Sequence, residues 1–365
     1  MTKVNVAIPS QANYDVFIES DLLSYIGEEL RRIDANPRAL IITDSVVANL
    51  FVSSVKESLE QVDYQVSVIT VPAGEQAKSL DCAGEIWHAM VECKLNRDSL
   101  VVALGGGVVG DLAGFCGSTF MRGLRVVQIP TTLLSMVDSS VGGKTAINLE
   151  SGKNLVGTFC QPIAVFADLD TLSTLPEREW ACGCAEIAKS SVIDSEEFFA
   201  WMQENVQGLV ERDPKVAKEA IKRSVTFKAS VVARDSEETK NIRECLNYGH
   251  TLAHAIETKA GYGVYSHGHA VAQGMRFAAR LAVAHLGTSL EFVVAQDNLL
   301  DALDLPNLTF KASPEELLQL MMSDKKVRSN KLRFVLPEGA GKWQLCELEQ
   351  SFVLEHLNAW QKSLA

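Results

Sequence analysis

Four of the seven histidines lie between residues 250 and 269, and their spacing is suited to metal binding. His250 and His254 are four residues apart, so a helix would place both on one face. A catalytic zinc ion takes three protein ligands and keeps one position open, and imidazole is among its common ligands. A carboxylate is the natural third ligand, and Glu186 lies in another segment with helical spacing. The pattern predicts a metal site.

These histidines belong to a longer polar stripe. Arg243 and Asn247 precede the first two histidines at the same helical spacing, and His267 and His269 follow after a turn at residues 261–263. A polar stripe can equally be the solvent-facing side of a helix. The other faces of this helix carry apolar and small residues, which favours a mostly buried helix.

Glycines form the densest local pattern in the chain. Six of the 24 glycines fall within residues 105–117, directly after the strand-like run Leu100–Leu104. Glycine lets the backbone approach a phosphate group, and a helix N-terminus favours its charge. The same glycines would also suit a tight strand-to-helix turn. Because their spacing differs from the common dinucleotide fingerprint, the pattern indicates an anion site and does not by itself indicate NAD.

Polar residues continue through residues 129–154, where two threonines follow a strand and two lysines lie in glycine-rich turns. The run Gly142–Thr145 superficially resembles a nucleoside triphosphate loop. That motif requires glycine at position 138, where this chain has Asp138, so an ATPase is excluded. Lys144 and Lys153 are either anion-binding groups or solvated surface lysines.

Charge and composition exclude several classes of protein. A net charge of −12 argues against a protein that coats nucleic acid, but it allows a small anionic substrate in a locally basic site. Lys228, Arg243 and one or two lysines of residues 324–333 could neutralise a phosphate or carboxylate, although most of that last segment suits a solvated loop. No apolar run approaches the roughly 20 residues of a membrane-spanning helix.

The expected compartment is the cytoplasm. The first 18 residues lack a basic segment followed by an apolar block, so we expect no secretory signal. The eight cysteines contain no C-x-x-C pair and are interpreted as reduced, mostly buried thiols.

The segments that must position these residues differ between the two halves. Strand-like and helical runs alternate in the first half, which predicts a parallel sheet covered on both faces. Ligands bind at the carboxyl ends of such strands, where Asp44, Gly105 and Thr131 lie. The predicted strands are Ala39–Thr43, Tyr64–Val71, Leu100–Leu104 and Val126–Ile129.

From Pro176 onward nearly every long segment has helical spacing, including a predicted helix over Leu246–Ala260, and strand signals return only at Leu332–Leu336. We therefore expect an α/β domain over residues 1–175 and an all-α domain over residues 176–365. The absence of a Gly-, Ser- or Pro-rich linker favours an active site in the cleft between them.

Taken together, these segments resemble the 3-dehydroquinate synthase family, from about Pro72 to Pro337. The resemblance implies a Rossmann-like NAD-binding domain over residues 1–175, a helical metal- and substrate-binding domain over residues 176–365, tightly bound NAD, and one Zn²⁺ for which Co²⁺ is an alternative. The matching motifs are Gly74–Lys78, Gly105–Asp111, Pro130–Asn148, Gly152–Asn154, Leu175–Pro176, Glu186, Leu246–Thr251, His267–Gly268 and Asp324–Lys326.

The resemblance also implies an activity in the shikimate pathway of aromatic amino acid biosynthesis. The enzyme would convert 3-deoxy-D-arabino-heptulosonate 7-phosphate to 3-dehydroquinate and phosphate. The implied sequence is transient oxidation by NAD, phosphate elimination, re-reduction and intramolecular aldol closure, so the enzyme is a carbon–oxygen lyase. A cytoplasmic homodimer that binds a small sugar phosphate, and neither nucleic acid nor membrane, is expected.

Residues at the matching positions receive roles from the same resemblance. The metal ligands would be Glu186, His250 and His267. NAD would contact Asp44, Glu75, Lys78, Gly107, Val108, Val109, Gly110, Asp111, Thr131, Thr132, Thr171, Leu172, Ser173 and Thr174, with Lys144 and Lys153 between NAD and substrate. The substrate would be held by Asp138, Asn154, Lys189, Lys228, Arg243, Asn247, His254 and Lys325 or Lys326, and Arg122 would reach the phosphate pocket of a neighbouring subunit.

Two departures from the family pattern are visible. The family usually has glutamate where this chain has His269. We expect His269 to alter the tuning of the metal site more than its ligands, and competition of His269 for the metal stays open. The segment from Asp235 to Arg243 is about one residue longer than the family pattern.

Three other functions remain open at this point: a related sugar phosphate cyclase such as a 2-deoxy-scyllo-inosose synthase, a metal-dependent polyol dehydrogenase of the same fold, and a non-catalytic metal- or nucleotide-binding regulator. The regulator would have no need of the basic residues that accompany the metal ligands.

Overall fold

The computed structural model describes residues 1–8, 13–33, 38–261, 264–308, 312–324 and 331–364. The chain divides into two compact units, Met1–Leu175 with Lys228–Glu237 and Pro176–Phe227 with Glu238–Ala365. Among the described residues, no helix combines the length and the apolar character needed to cross a membrane.

A seven-stranded sheet forms the first unit. In chain order its strands are β1 (Thr2–Val6), β2 (Tyr14–Glu19), β3 (Arg38–Asp44), β4 (Gln65–Val71), β5 (Leu100–Gly105), β6 (Arg125–Pro130) and, after a separate hairpin of β7 (Lys144–Leu149) and β8 (Gly152–Phe159), β9 (Ala164–Asp168). The strand order is β1-β2-β9-β6-β5-β3-β4, and every neighbouring pair is parallel except β1 with β2. The predicted parallel sheet is confirmed, with an additional antiparallel edge strand.

Alternating side chains of the central strands enter two separate cores. On β3, Leu40 and Ile42 pack into one core, whereas Ile41 between them packs into the other. Helices therefore cover both faces, as the continuous apolar strands require. The helices α1 (Leu22–Ile33) and α2 (Ser45–Glu60) cover one face, and α3 (Leu80–Glu92) and α4 (Gly107–Thr119) cover the other.

The sheet has a point where the strand order reverses. From β3 the chain passes outward to β4 and then returns to β5 on the opposite side of β3. In open α/β sheets, ligands bind outside the carboxyl ends of the strands at such a point. Asp44 ends β3, Gly105 ends the neighbouring β5, and Thr131 follows β6 and donates its N–H to the carbonyl of Gly105 at 3.0 Å.

The second unit is mostly helical, which confirms the expected fold class. Its helices are α5 (Glu177–Asp194), α6 (Glu196–Val210), α7 (Pro214–Arg234, whose end from Lys228 is assigned to the first unit), α8 (His250–Ala260), α9 (His267–Leu286), α10 (Leu290–Ala302), α11 (Pro314–Asp324) and α12 (Gln350–Leu364). A hairpin of β10 (Lys331–Gly339) and β11 (Lys342–Glu349) precedes α12. The strand indicated at Leu332–Leu336 lies within β10, and β11 is an additional strand.

The helix predicted over Leu246–Ala260 begins later than expected. Residues Arg243–Asn247 form a separate 3₁₀ turn, and α8 starts only at His250. Gly249 has a φ of 79°, in the left-handed region that favours glycine, so the backbone cannot continue as one helix through it. Arg243 and Asn247 therefore do not share a helix face with His250.

Candidate functional site

Three helices of the second unit bring a carboxylate and two imidazoles together. Glu186 lies on α5, while His250 and His267 are the first residues of α8 and α9. One ligand atom from each of these residues lies within 4.8 Å of the others. The Nε2 atoms of His250 and His267 lie 3.6 Å and 3.4 Å from Glu186 Oε1.

The Nδ1 atom of each of these two histidines also has a polar partner. His250 Nδ1 lies 3.1 Å from the carbonyl oxygen of Tyr248, to which it donates, and His267 Nδ1 lies 3.4 Å from Glu257 Oε2. Partners of this kind fix the tautomer and orientation of a metal-binding histidine. Both Nε2 atoms consequently point towards Glu186.

Electrostatics keep the carboxylate ionised although it is 2% exposed. Burial would raise the pKa of Glu186, but the charge of Lys189, together with His267 and His250, holds that pKa well below its ordinary value. Lys189 forms a close ion pair with Glu186 Oε2. Burial lowers the pKa of His250 to about 3. Burial would also lower the pKa of His267, but Glu186 and Glu257 outweigh it and raise the pKa to about 10.

This donor set fits a zinc-like cation. Glu186 Oε1 is buried and accepts no hydrogen bond within the described part of the chain, and it faces two imidazole nitrogens. Lys189 compensates the charge of this carboxylate on its Oε2 side, and a bound cation would complete the Oε1 side. One oxygen and two nitrogen donors match the three protein ligands of a catalytic zinc site.

Of the remaining predicted residues of the second unit, His254 contacts this cluster directly, and Arg243 and Asn247 bind acidic neighbours. The His254 ring contacts those of His250 and His267, with centroids 5.5 Å and 6.4 Å apart. Arg243 is buried and pairs with Glu238 at 3.4 Å, and Asn247 donates to Glu244 at 3.2 Å. Lys325 and Lys326 lie outside the described residues.

His269 faces the start of its own helix. Its Nδ1 lies 2.6 Å from Ser266 Oγ, and Ser266 also accepts the His269 backbone N–H. Among the described residues, the three-donor cluster that could hold a metal does not include His269.

In the first unit, the sequence-predicted NAD contacts gather at the end of the sheet. The α4 segment Gly107–Asp111 begins directly after β5, and its N-cap Gly106 provides no side-chain cap. Asp44 caps α2 by accepting the N–H groups of Val46 and Val47. Thr131 Oγ1 is buried without a hydrogen-bond partner among the described residues, whereas Thr132 Oγ1 lies 2.8 Å from Ser135 Oγ.

A buried lysine connects the glycine-rich segments. Lys78 Nζ lies 2.6 Å from Asp111 Oδ2, hydrogen-bonds Asn154 Oδ1 and lies 3.9 Å from Glu75 Oε1. Lys153 Nζ is also 3.9 Å from Glu75 Oε1. The segments 74–78, 105–111 and 152–154 thus form one polar network.

Other predicted residues of this unit make further contacts. Lys228 Nζ binds Asp138 through both its carbonyl oxygen, at 2.6 Å, and its carboxylate, at 2.7 Å. Lys144 is exposed at the start of β7. In the 3₁₀ turn Leu169–Thr174, the hydroxyls of Thr171, Ser173 and Thr174 each donate to the carbonyl oxygen of the residue three positions earlier, and Leu172 is buried. Arg122 is exposed.

Sequence reasoning missed three groups. Glu257 continues the spacing of His250 and His254 on α8 and could have been found from it. Asn148 joins the lysine network, because it donates to Glu75 at 2.8 Å and accepts the Asn154 N–H at 2.9 Å. The Tyr248 carbonyl is a backbone group, so no residue type signals it.

Solved structures with this fold define its class. A 2-deoxy-scyllo-inosose synthase, complexed with carbaglucose-6-phosphate, NAD⁺ and Co²⁺, superposes with a TM-score of 0.90 at 27% identity and covers 98% of this chain and all of its own. A 2-epi-5-epi-valiolone synthase from Streptomyces hygroscopicus subsp. jinggangensis 5008, with NAD⁺ and Zn²⁺ bound, gives 0.88 at 25% identity over 98% and 99% of the two chains. The fold is that of the sugar phosphate cyclases.

Sequence comparison narrows the class to one family. Residues 68–182 match the profile of the 3-dehydroquinate synthase N-terminal domain and residues 183–327 that of its C-terminal domain. A 3-dehydroquinate synthase of Rhodopirellula baltica is 50% identical over 302 residues, covering 83% of this chain and 80% of that protein. The chain belongs to the 3-dehydroquinate synthase family.

Proposed function

We propose that this enzyme is a 3-dehydroquinate synthase, which converts 3-deoxy-D-arabino-heptulosonate 7-phosphate to 3-dehydroquinate and phosphate. The observation that carries the proposal is the partly buried cluster of Glu186, His250 and His267 in a chain 50% identical to a 3-dehydroquinate synthase. The identity to the inosose synthase is only 27%, so that alternative activity is not favoured. The dehydrogenases of similar architecture share 14–17% identity and support the fold alone.

We propose that the cluster holds Zn²⁺ or Co²⁺ and that NAD binds at the carboxyl end of the sheet. The bound ions and NAD⁺ of the two related cyclases support this assignment, as do the uncapped N-terminus of α4 and the unsatisfied Thr131 hydroxyl. When bound, the metal would polarise a substrate hydroxyl and NAD would accept and return a hydride.

The residues of the chain itself would mainly bind and orient an anionic substrate. Lysine, arginine and asparagine side chains neutralise phosphate and carboxylate groups and hold reacting atoms in place. Asp138 keeps Lys228 fixed through two contacts, so the ammonium group is positioned before substrate arrives. The proposed substrate contacts are Asp138, Lys144, Lys153, Asn154, Lys189, Lys228, Arg243, Asn247 and His254.

We also propose that the enzyme acts as a homodimer in which Arg122 reaches a neighbouring copy. Met121 and Arg122 have φ values of 49° and 71°, a strained conformation for residues other than glycine, and both side chains are exposed. The β7–β8 hairpin exposes Leu155, Val156 and Phe159, an apolar surface that a second copy could cover. The free thiols of all eight cysteines support a cytoplasmic location.

The decisive assay combines the purified chain with the heptulosonate phosphate, NAD and Zn²⁺. We expect release of inorganic phosphate together with a dehydroquinate product and no net accumulation of NADH, because the hydride is returned in every turnover. Protein stripped of metal by a chelator is the control and should release no phosphate. Steady accumulation of NADH without phosphate would contradict the proposal and indicate a dehydrogenase.

A further inference from the structure

The three proposed metal-binding side chains lie on three different helices, so their mutual distances depend on how α5, α8 and α9 pack. A functional metal site tolerates only about 0.2 Å of error in its ligand distances. At two places near the proposed metal-binding side chains, the backbone of α9 closely approaches the backbone of another element. A glycine lies at each of these contacts.

The first close approach joins α9 to α5. Gly268 follows His267 directly, and its N–H donates to Cys182 Sγ at 3.1 Å. Cys182 precedes Glu186 by one helical turn on α5. A Cβ atom at position 268 would lie 2.7 Å from the Cys182 carbonyl oxygen and 3.0 Å from its carbonyl carbon. Because backbone atoms cannot swing aside, any larger residue must push the two helices apart.

The second close approach joins α9 to the start of α8. A Cβ atom at Gly274 would lie 2.6 Å from the carbonyl carbon of Gly249, the residue before His250. A Cβ at Gly249 would in turn lie 2.8 Å from the Val271 carbonyl oxygen and 2.9 Å from the Met275 nitrogen. The helix α9 thus touches the backbone beside both of the other proposed ligands.

We propose that these two contacts, Gly268 with Cys182 and Gly274 with Gly249, are positioning contacts that set the geometry of the metal-binding cluster. The inference rests on the proposed metal site. Either contact, if widened, moves His267 relative to Glu186 or to His250 without altering a ligand. The four residues are positioning residues: the three glycines have no side chain, and the Cys182 thiol accepts the Gly268 N–H and is not part of the donor cluster found among the described residues.

The test uses the full-length chain, stripped of metal and titrated with Zn²⁺ or Co²⁺ alone. We expect Gly268→Ala to weaken Zn²⁺ affinity, measured by chelator competition, by about 10- to 100-fold, the loss typical of groups that orient metal ligands. The visible absorption bands of bound Co²⁺ should also change, because they report the coordination geometry. The circular dichroism spectrum of the metal-free variant should match the parent.

Gly208→Ala on α6 is the matched control. A Cβ there would lie 2.8 Å from Val216 Cγ2, which is a side-chain atom and can move. This glycine is therefore tightly packed, but, unlike Gly268, it does not contact the backbone of a neighbouring element. Its metal affinity and Co²⁺ spectrum should equal those of the parent. Equal affinity and spectrum for Gly268→Ala would overturn the inference, whereas a parent chain that binds neither ion would overturn the proposed metal site itself.

A second pair of variants decides the matter if Gly268→Ala does not fold. Cys182→Ala removes the hydrogen bond that holds Gly268 against α5, and Cys182→Ser restores an acceptor. We expect weaker Zn²⁺ binding in Cys182→Ala and recovery in Cys182→Ser. Parent-like Zn²⁺ binding by a folded Cys182→Ala variant would reduce the contact to ordinary packing and overturn the inference.

Discussion

Each unit of the chain contains a cluster of polar side chains, and the two clusters differ in how many of their buried polar atoms form hydrogen bonds. In the first unit, the Lys78 ammonium is 4% exposed and is bound by Asp111 and Asn154. In the second unit, Glu186 Oε1 faces two imidazole nitrogens at 3.4 Å and 3.6 Å and accepts no hydrogen bond from the described residues. The groups of the first cluster therefore bind one another, whereas the second leaves one buried carboxylate oxygen without a hydrogen bond among the described residues.

The two carboxylates show the same difference in their pKa values. Burial raises the pKa of Asp111 and outweighs the neighbouring Lys78. For Glu186 the charge of Lys189 and the two histidines outweigh burial, and the pKa is lowered. Glu186 thus stays ionised beside Lys189 where a cation is proposed, whereas a network of hydrogen bonds lies where a nucleotide is proposed.

Removal of a proposed ligand should have the largest effect. We expect His250→Ala to weaken Zn²⁺ binding by more than the roughly 100-fold limit for groups that only orient ligands, and to abolish turnover. Because a ligand that binds the native state stabilises it, saturating Zn²⁺ should raise the melting temperature of the parent but not of this variant. Chelator competition and thermal melts measure both effects.

His285→Ala provides the matched control, since His285 lies on α9, is exposed and belongs to no described metal cluster. It should keep the parent's affinity and its metal-dependent melting temperature. Full activity in a His250→Ala protein that holds no metal would refute the ligand assignment.

Loss of a group behind the cluster should have a smaller effect. Glu257→Gln removes the negative charge that faces His267 Nδ1 at 3.4 Å. We expect Zn²⁺ affinity to fall by about tenfold, because the carboxylate no longer makes the ring a better donor. Glu316→Gln is the control: Glu316 of α11 is exposed, and it pairs at 2.7 Å with Lys259, which lies on α8 as Glu257 does. Parent-like affinity in Glu257→Gln would show that the charge of Glu257 has no influence on the cluster.

The sequence predicts the fold well because the relevant patterns are local. Apolar strands, glycine after β5 and helical spacing after Pro176 each act within a few residues. The antiparallel hairpins were less visible: β8 exposes Leu155 and Val156, so it lacks the buried alternation that marks a strand. The late start of α8 coincides with Gly249, which has a left-handed backbone and packs closely against the backbone of α9.

The candidate site divides in the same way. Residue types and spacing indicate a metal site with Glu186 and the clustered histidines, and the family resemblance implies His250 and His267 among them. The same spacing would have indicated Glu257 had it been followed one turn further. The Tyr248 carbonyl and the contact of Gly268 with Cys182 join elements far apart in sequence. Only the packed structure reveals such contacts, because no single residue type is required at both ends.

The self-sufficient cluster of the first unit should respond to substitution through stability. Lys78→Met leaves Asp111 and Asn154 without their common donor, and we expect a loss of about 1–3 kcal/mol in the free energy of unfolding. Zn²⁺ affinity should not change. Lys56→Met, which breaks an exposed pair with Glu60, should cost less than about 0.5 kcal/mol. A Lys78→Met protein as stable as the parent would show that the network is not structural.

The smallest effect concerns pH and distinguishes the signs of the two carboxylates. Because the folded state raises the pKa of Asp111 above its ordinary value of 3.8, the unfolded chain loses this proton first as the pH rises. The contribution of Asp111 to stability is therefore present below that value, falls as the pH rises towards the folded pKa, and is constant above it. Urea unfolding of the parent and of Asp111→Asn from pH 4 to pH 8 would measure the difference, which can fall by at most about 1.4 kcal/mol per pH unit. A difference that grows with pH would mean that Lys78 outweighs burial in setting the pKa of Asp111. The Asp111 carboxylate would then be kept ionised, as the Glu186 carboxylate is.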